Sequence, residues 1–218
     1  MSSLDIEQGS EAWRKIRLGK VTASRVADVV AKTKSGYGAS RSNYMAELVA
    51  ERLTGQPAEH FQNAAMIWGT DHEGDARAAY NFHANSEIAP AGFVQHPAIP
   101  MSGASPDGYV GADGLVEIKC PNTATHIETL RAGKVPEKYV TQILWQLACT
   151  ERVWCDYVSY DPRMPAHMSL FVRRVPHYPE RIKELEIEVK KFLAELDLAV
   201  NELEAKYGWA RNERKATA

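Results

Sequence analysis

The segment SPDGYVGADGLVEIKCP holds the residues of this chain whose types and spacing are best suited to chemistry. Asp107 lies in a Pro-Asp-Gly turn, and the run 115–120 that follows predicts a short strand. Alternate side chains of a strand share a face, so Glu117 and Lys119 lie side by side with Leu115. The opposite face is apolar and carries Val116, Ile118 and Cys120. An unpaired buried charge is costly, so this acid and this lysine require a partner or a catalytic role.

A hard divalent cation fits this group of residues. Asp107 and Glu117 can converge to supply carboxylate oxygens to Mg²⁺, or to Mn²⁺, and the backbone carbonyl of Ile118 can add a third ligand. Lys119 then lies beside a metal-bound water, where a cation lowers the pKa of the water and stabilises charge on a phosphoryl oxygen. The pattern therefore predicts a metal-dependent site for phosphoryl chemistry.

Each part of this pattern also has a purely structural interpretation. Pro-Asp-Gly is a common turn, and Glu-x-Lys on a strand is often a solvated face. On the helix predicted before the strands, Glu73 and Arg77 are spaced as an ordinary i,i+4 surface pair. Gln142 and Gln146 lie one turn apart on a later helix, where they can orient a water or a phosphate but are more often polar surface. The residues alone leave these alternatives open.

A second feature lies near the N-terminus. Four basic residues precede a predicted helix start at Thr22-Ala23-Ser24, namely Arg14, Lys15, Arg17 and Lys20. Thr22 or Ser24 is a plausible N-cap, and a helix N-terminus with free N–H groups and hydroxyls is an anion site. An arginine adds a bidentate grip on phosphate. The alternative interpretation is a solvated basic run.

The elements that must position these residues follow from hydrophobic periodicity and turn signals. Helices are predicted over 11–32 with a break at Gly19, and over 41–53, 64–84, 136–149 and 180–207; strands are predicted within 87–120 and over 153–160 and 168–175; 33–40 is predicted as a loop. This order predicts an α/β (α+β) fold with a mixed central sheet flanked by helices, in one domain over 1–218.

The last predicted helix, about 180–207, has a heptad-like apolar pattern. Its apolar residues step by three and four, and they are Ile182, Leu185, Val189, Phe192, Leu196, Ala199 and Leu203. Such a pattern predicts either packing on the helix's own domain, which is favoured, or a contact between subunits.

Composition excludes several classes of protein. Of 218 residues, 44% are hydrophobic and 25% are charged, which is ordinary for a globular protein and excludes a disordered or fibrous chain. No apolar stretch is long enough for a membrane span, and three dispersed cysteines fit a reducing cytoplasm. The net charge of −2 means that any nucleic acid must bind to a local basic surface.

Taken together, five segments resemble the phage lambda exonuclease family, the YqaJ-type viral recombinases of the PD-(D/E)XK nuclease superfamily. They occur in the family's order between about residues 8 and 175, and they are QGSEAWRKIRLGKVTASRV, WGTDHEGDAR, SPDG with LVEIKCP, YVTQILWQL and YDPRM. The resemblance implies a restriction-endonuclease-like fold. It also implies a Mg²⁺-dependent 5′-to-3′ exonuclease that acts processively on duplex DNA ends and leaves a 3′ single-stranded tail.

The resemblance further implies a ring-shaped homotrimer around DNA, a single-strand annealing recombinase as partner, and action in the cytoplasm of the host cell. It makes Asp107 and Glu117 metal ligands, Lys119 the catalytic lysine and Glu73 an acid that assists the metal or the water. Arg17 would hold the 5′ phosphate, with Thr22 and Ser24 nearby, Gln142 would flank the site, and Met66 would be an apolar wedge that separates the strands. Gln146 has no role that the resemblance supplies.

Four rival functions compete with this one. An iron–sulfur nuclease needs four clustered cysteines, which the chain lacks. The chain has no H-x-x-x-H spacing, the pattern by which a zinc hydrolase holds its metal. A structure- or sequence-specific endonuclease of the same superfamily remains, as does a non-catalytic DNA-end-binding adaptor for an annealing protein, against which the complete set of acids and lysine argues.

Overall fold

A five-stranded mixed sheet forms the centre of the fold in a computed structural model that describes residues 8–58 and 64–208. The strands β1 to β10 are, in chain order, Val21–Thr22, Lys32–Thr33, Gly36–Tyr37, Ile88–Ala89, Val94–His96, Ile99–Ala104, Gly108–Val110, Gly114–Lys119, Trp154–Tyr160 and Leu170–Pro176. The central sheet has the order β10-β9-β8-β7-β4, in which only β8 and β9 are parallel. The prediction of a mixed sheet is confirmed.

Helices cover both faces of this sheet. The helices α1 to α7 are Glu11–Arg17, Val26–Val29, Ala39–Thr54, Ala64–Ala84, Thr123–Ala132, Glu137–Thr150 and Pro179–Tyr207. Parallel neighbours need a crossover connection, and α5 and α6 supply it between β8 and β9. Leu144 of α6 packs with Leu115 on one face, and Tyr80 of α4 packs with Val116 on the other.

A smaller sheet of order β1-β6-β5 lies beside the central one. β1 is parallel to β6, with Val21 opposite Ser102, and β5 is antiparallel to β6. The core that joins this sheet to the helices contains Val21, Tyr44 of α3, Trp145 of α6 and Phe192 of α7. The segment that carries Asp107 runs directly from β6 into β7, so both sheets fix its position.

Helix α7 packs on its own chain through the apolar pattern that the sequence shows. Val189, Phe192 and Leu196 are fully buried, and Phe192 stacks on Tyr44 with ring centroids 5.7 Å apart. The favoured interpretation of this pattern is confirmed for the middle of the helix. Pro179 stands at its first turn, where a missing N–H costs nothing.

Two N-terminal predictions are wrong. The second half of the predicted helical region 11–32 is instead strand β1, a 3₁₀ turn over Ala23–Arg25 and the single-turn α2. Thr22 takes the N-cap position of that 3₁₀ turn without a side-chain capping bond, because its region is organised by pairing with β6. The predicted loop 33–40 contains most of a small hairpin, in which Thr33 pairs with Gly36.

Helix α5 was not expected from the sequence. Its residues TATHIETLRA include three β-branched threonines, which weaken helix propensity. Its boundaries have the usual local causes, because the Asn122 side chain accepts a hydrogen bond from the Thr125 N–H at 2.9 Å, and Gly133 ends the helix in the left-handed conformation.

Two further observations concern the described residues as a set. Within 8–58 and 64–208, none of the helices combines the length and apolar character that crossing a membrane requires. Cys120, Cys149 and Cys155 are buried free thiols.

The packing of α7 gives the first prediction. Replacing the fully buried Phe192 with Ala leaves a cavity beside Tyr44, so we expect the free energy of unfolding to fall by about 3–5 kcal/mol. Leu198→Ala is the control on the same helix, because 62% of Leu198 is exposed, and it should change stability by about 0.5 kcal/mol or less. Denaturant titration of both variants is the measurement. Equal losses would contradict this assignment of the buried face.

Candidate active site

Strand β8 carries the predicted acid and lysine in a buried setting. Val116 and Ile118 belong to the core beneath α4, whereas Leu115 belongs to the core beneath α6, so the predicted division of faces is confirmed. Glu117 lies on the α6 side and is only 1% exposed, and the Lys119 side chain is 27% exposed. The interpretation of this Glu-x-Lys pair as a solvated face is therefore wrong.

Three donors surround the Glu117 carboxylate. The Gln142 amide donates to Oε1 at 2.6 Å, the Gln146 amide donates to Oε2 at 2.5 Å, and the Lys119 ammonium forms an ion pair with Oε1. The two glutamines are four residues apart, so successive turns of α6 place both amides on the same carboxylate. The interpretation of the two glutamines as polar surface is wrong, and Gln146 is fully buried.

Asp107 lies against the same strand. Its Oδ2 accepts a hydrogen bond from the backbone N–H of Ile118 at 2.6 Å. Burial, and then the negative charge of Glu117, raise the pKa of Asp107 to about 8. Burial lowers the pKa of Lys119. The nearby carboxylates of Glu117 and Asp107 together have the larger effect, so the pKa of this lysine is raised. The cluster thus brings two acidic side chains against one ammonium, and a further cation would relieve the repulsion between the two acids.

Glu73 reaches this cluster through an arginine. Arg77 donates to Glu73 Oε1 from two nitrogens, at 2.8 and 3.1 Å, so the i,i+4 pair is present. The same guanidinium also donates to the backbone carbonyl of Asp107 at 2.5 Å, which ties α4 to the turn. Within the described part of the chain, no three His, Cys, Asp or Glu side chains form a metal-binding group. A cation here would therefore rely on the carboxylates of the buried Glu117 and the half-buried Asp107 and on main-chain oxygen such as the Ile118 carbonyl.

The predicted substrate-binding residues meet in a separate cavity of about 900 Å³. Arg17, Thr22, Ser24 and Met66 all line it, although they come from four different elements or connections. Three more basic residues line the same cavity, namely Arg14, Lys20 and Arg25. Glu47 and Glu51 line it too, so the described part of its lining has four basic and two acidic side chains, whereas the first cluster has two acidic side chains and one basic one.

Arg17 is the central cation of this cavity. Its guanidinium stacks on the Trp13 ring, 3.7 Å from the centroid, and lies 3.5 Å from the Ser105 hydroxyl. Among residues 8–58 and 64–208, no carboxylate forms an ion pair with it. Burial lowers the pKa of Arg17 to about 10, which leaves it charged at neutral pH. A largely buried and unpaired guanidinium favours an anion in the cavity.

The turn that follows Arg17 is held from both sides. Glu51 accepts from the Gly19 N–H at 2.8 Å and from the Ala58 N–H at 3.1 Å, and Arg52 donates to the Gly19 carbonyl at 3.0 Å. Gly19 has a φ of +66°, and a Cβ there would lie 2.8 Å from the Arg52 side chain. The turn therefore requires glycine, and α3 fixes one wall of the cavity.

The two sites share one short segment of chain. The Ser105 hydroxyl accepts the indole N–H of Trp13 at 2.9 Å, and the Gln8 amide donates to the Pro106 carbonyl at 2.8 Å. Asp107 follows directly. The backbone over 105–107 therefore links the cavity around Arg17, the anion pocket, to the acidic cluster of Asp107 and Glu117.

The structure also places at the sites three residues that the sequence does not identify as site residues, namely Trp13, Arg77 and Gln146. Arg77 is predicted only as a surface partner of Glu73, and Gln146 only as one of two glutamines that either orient a water or a phosphate or form polar surface. Trp13 and Arg77 each lie four residues from a candidate that was identified, Arg17 and Glu73, and helix spacing was the available signal. The fully buried position of Gln146 depends on which face of α6 meets the sheet.

Comparisons with known proteins match most of the chain. A protein-family model described as the YqaJ-like viral recombinase domain matches residues 12–153, which include Arg17, Asp107 and Glu117. No curated protein matches the chain.

Solved structures also match the chain over most of its length. The chain is 49% identical to the alkaline exonuclease LHK-Exo from Laribacter hongkongensis, covering 92% of this chain and 100% of that one, with a TM-score of 0.86. The structure of LHK-Exo in complex with dAMP matches with the same identity and coverage and a TM-score of 0.87. A phage-related exonuclease from Haemophilus somnus 129PT, at 13% identity, covers 84% of this chain and 96% of that one with a TM-score of 0.68, which shows a shared fold. The predicted restriction-endonuclease-like fold is confirmed.

The raised pKa of Asp107 gives a prediction about stability without metal. Because folding raises this pKa to about 8, the folded protein holds a proton that the unfolded chain releases, and stability falls as pH rises between about 4 and 8. Asp107→Asn has no such proton. We therefore expect its thermal unfolding temperature in EDTA, relative to the unsubstituted protein, to be higher at pH 9 than at pH 6.

Asp113→Asn is the control, because Asp113 is an exposed carboxylate in the next connection along the chain, between β7 and β8. It should shift unfolding equally at both pH values. A difference between Asp107→Asn and the unsubstituted protein that is the same at pH 6 and pH 9 would contradict the raised pKa.

Proposed function

Because the chain belongs to the family of YqaJ-like viral recombinase domains, we propose that it is a metal-dependent exonuclease. It would degrade the 5′-phosphorylated strand of duplex DNA processively and leave a 3′ single-stranded tail. The observation that carries the proposal is the link through residues 105–107 between an acidic cluster and a separate pocket with an unpaired arginine. An enzyme that recognises a DNA end needs both sites at a fixed separation.

The donor atoms of the acidic cluster fit Mg²⁺, with Mn²⁺ as an alternative, because they are oxygens. Asp107, Glu117 and the Ile118 carbonyl would hold the metal, and Glu73 would assist after exchanging its contact with Arg77. When bound, the metal would supply an activated water and stabilise charge on the phosphoryl group. The proton on Asp107 competes with the metal, so binding should strengthen as pH rises towards 8.

The chain's own residues prepare this site in two ways. Lys119 keeps its ammonium charged beside Glu117, where it would stabilise negative charge on the scissile phosphate. Gln142 holds Glu117 Oε1 through its amide, which keeps the carboxylate in one orientation. Lys119 would thus be the catalytic lysine, and Gln142 would support the metal ligand.

The anion pocket would bind the 5′ phosphate. Arg17 offers an unpaired guanidinium backed by the Trp13 ring, and the hydroxyls of Thr22 and Ser24 line the same cavity. Met66 also lines it and is 50% exposed, which suits an apolar wedge between the separating strands. The bound dAMP of LHK-Exo supports a nucleotide as the ligand class.

The assembly and partners of the enzyme complete the proposal. A homotrimeric ring would place the basic pockets towards the DNA and acidic surface outside, which reconciles DNA binding with a net charge of −2. A single-strand annealing recombinase would take up the 3′ tail. The site of action would be the cytoplasm of the host cell.

The decisive experiment uses linear duplex DNA with a 5′ phosphate on one strand only and a separate label on each strand. With Mg²⁺, the phosphorylated strand should shorten from its 5′ end while the other stays intact; with EDTA, neither should change. Internal cuts, or cuts in a closed circle, would instead support an endonuclease. Binding without cleavage would support a non-catalytic adaptor.

Asp107→Ala tests the acidic cluster. Removing this carboxylate takes away a metal ligand and the hydrogen bond to the Ile118 N–H, so cleavage should fall by at least about 100-fold while DNA binding is kept. Cleavage and a gel-shift assay in Ca²⁺ measure the two properties. Equal loss of both would contradict a catalytic role.

Arg17→Ala tests the anion pocket. A lost charge-assisted contact to phosphate is worth about 1.5–3 kcal/mol, so kcat/KM for 5′-phosphorylated ends should fall about 10- to 100-fold. Ends with a 5′ hydroxyl should change little. Lys15→Ala is the control, since Lys15 lies on the same helix, pairs with Glu11 and does not line the cavity. The pocket assignment fails if the unsubstituted enzyme treats both kinds of end alike.

A further inference from the structure

Gln146 contacts the proposed metal ligand from a fully buried position. Its side-chain amide donates to Glu117 Oε2 at 2.5 Å, on the carboxylate oxygen that Gln142 and Lys119 leave open. Its exposure is 0%, so it cannot touch DNA or solvent. Any contribution to the reaction must therefore pass through Glu117.

Together, the two glutamines fix the plane of the Glu117 carboxylate. Gln142 holds one oxygen of Glu117 and Gln146 holds the other, so the carboxylate cannot rotate without losing a hydrogen bond. Both donors stand on α6, whose residues Ile143, Leu144 and Leu147 are fully buried. The helix is therefore a rigid support for both amides.

The side-chain carbonyl oxygen of Gln146 also bears on the role of this residue. Its Oε1 is buried and has no hydrogen-bond partner within the described part of the chain. A buried acceptor without a partner costs stability. The amide thus satisfies Glu117 while its own carbonyl is unsatisfied, so the contact with Glu117 is what this side chain contributes at a cost in stability.

We propose that Gln146 is a positioning residue that fixes the orientation of the Glu117 carboxylate before a metal ion binds. The inference rests on the proposed function, in which Glu117 is a metal ligand. A ligand that is already oriented loses less conformational freedom on binding, so Gln146 would act on metal affinity. The rate at saturating metal and the affinity for DNA would depend on it much less.

The test replaces Gln146 with Leu, which keeps the volume and removes the donor, and with Asn, which keeps an amide that is too short to reach Oε2. Titration of each protein with Mn²⁺ in the absence of DNA should show metal affinity reduced about 10-fold or more. The Mg²⁺ concentration for half-maximal cleavage should rise by a similar factor. KM for DNA at saturating Mg²⁺ should stay within about twofold.

Thr141→Val is the matched control. Thr141 is a buried polar residue on the same helix, and its hydroxyl donates to the Glu137 carbonyl at 3.2 Å, within the helix itself. This change should leave metal affinity unaltered. A purely structural role for Gln146 predicts a different pattern, in which the maximal rate falls with the folded fraction while the Mg²⁺ midpoint stays in place.

The outcomes separate this inference from the function on which it rests. If the unsubstituted protein neither binds Mn²⁺ nor cleaves DNA, the proposed function fails. If it does both, and Gln146→Leu and Gln146→Asn bind Mn²⁺ as well as it does, the positioning role alone is wrong. Thermal unfolding in EDTA identifies a variant that does not fold, and the result for the other variant then decides.

Discussion

The buried carboxylate of Glu117 is the constraint on which the rest of the site depends. A charge that is 1% exposed in the middle of a sheet is tolerated only when donors replace the water it has lost. Lys119 supplies one from the same strand, and Gln142 and Gln146 supply two from α6. The packing of α6 on the sheet is therefore required for the site as well as for the fold, because it places both glutamine donors against Glu117.

Asp107 adds a second acidic side chain beside Glu117, and the two repel each other when both are charged. The Asp107 carboxylate is held beside Glu117 by the Ile118 N–H. Within the part of the chain that the structure describes, Lys119 is the one ammonium next to the two acids; it pairs with Glu117 and attracts Asp107 electrostatically. The protein can relieve the repulsion by keeping a proton on Asp107 or by accepting a cation. Arg77 gives no relief to the carboxylates themselves, because its donors go to Glu73 and to the Asp107 carbonyl.

The sequence predicts those parts of the molecule that local pattern determines. Alternation along β8 correctly separates Val116 from Glu117, and the apolar period of α7 identifies the face that packs inward. It fails where distant contacts decide. Strand β1 exists because it pairs with β6, some 80 residues later, and Gln146 is buried only because α6 lies over Glu117. Helix periodicity marks both glutamines as neighbours but does not say which surface covers them.

The spacing between the two sites is set by side chains that ring stacking and hydrogen bonds hold in place. Trp13 stacks on Arg17 and donates to Ser105, two residues before Asp107, so a shift of this segment would move both sites together. Glu51 holds the turn after Arg17 and the Ala58 amide with one carboxylate. A nuclease that measures its cut from a bound DNA end requires such a fixed distance, since a small error in position places a different bond, or none, at the reacting groups. These contacts are present in the protein alone, and their fixed spacing supports the proposed end recognition more strongly than either site does alone.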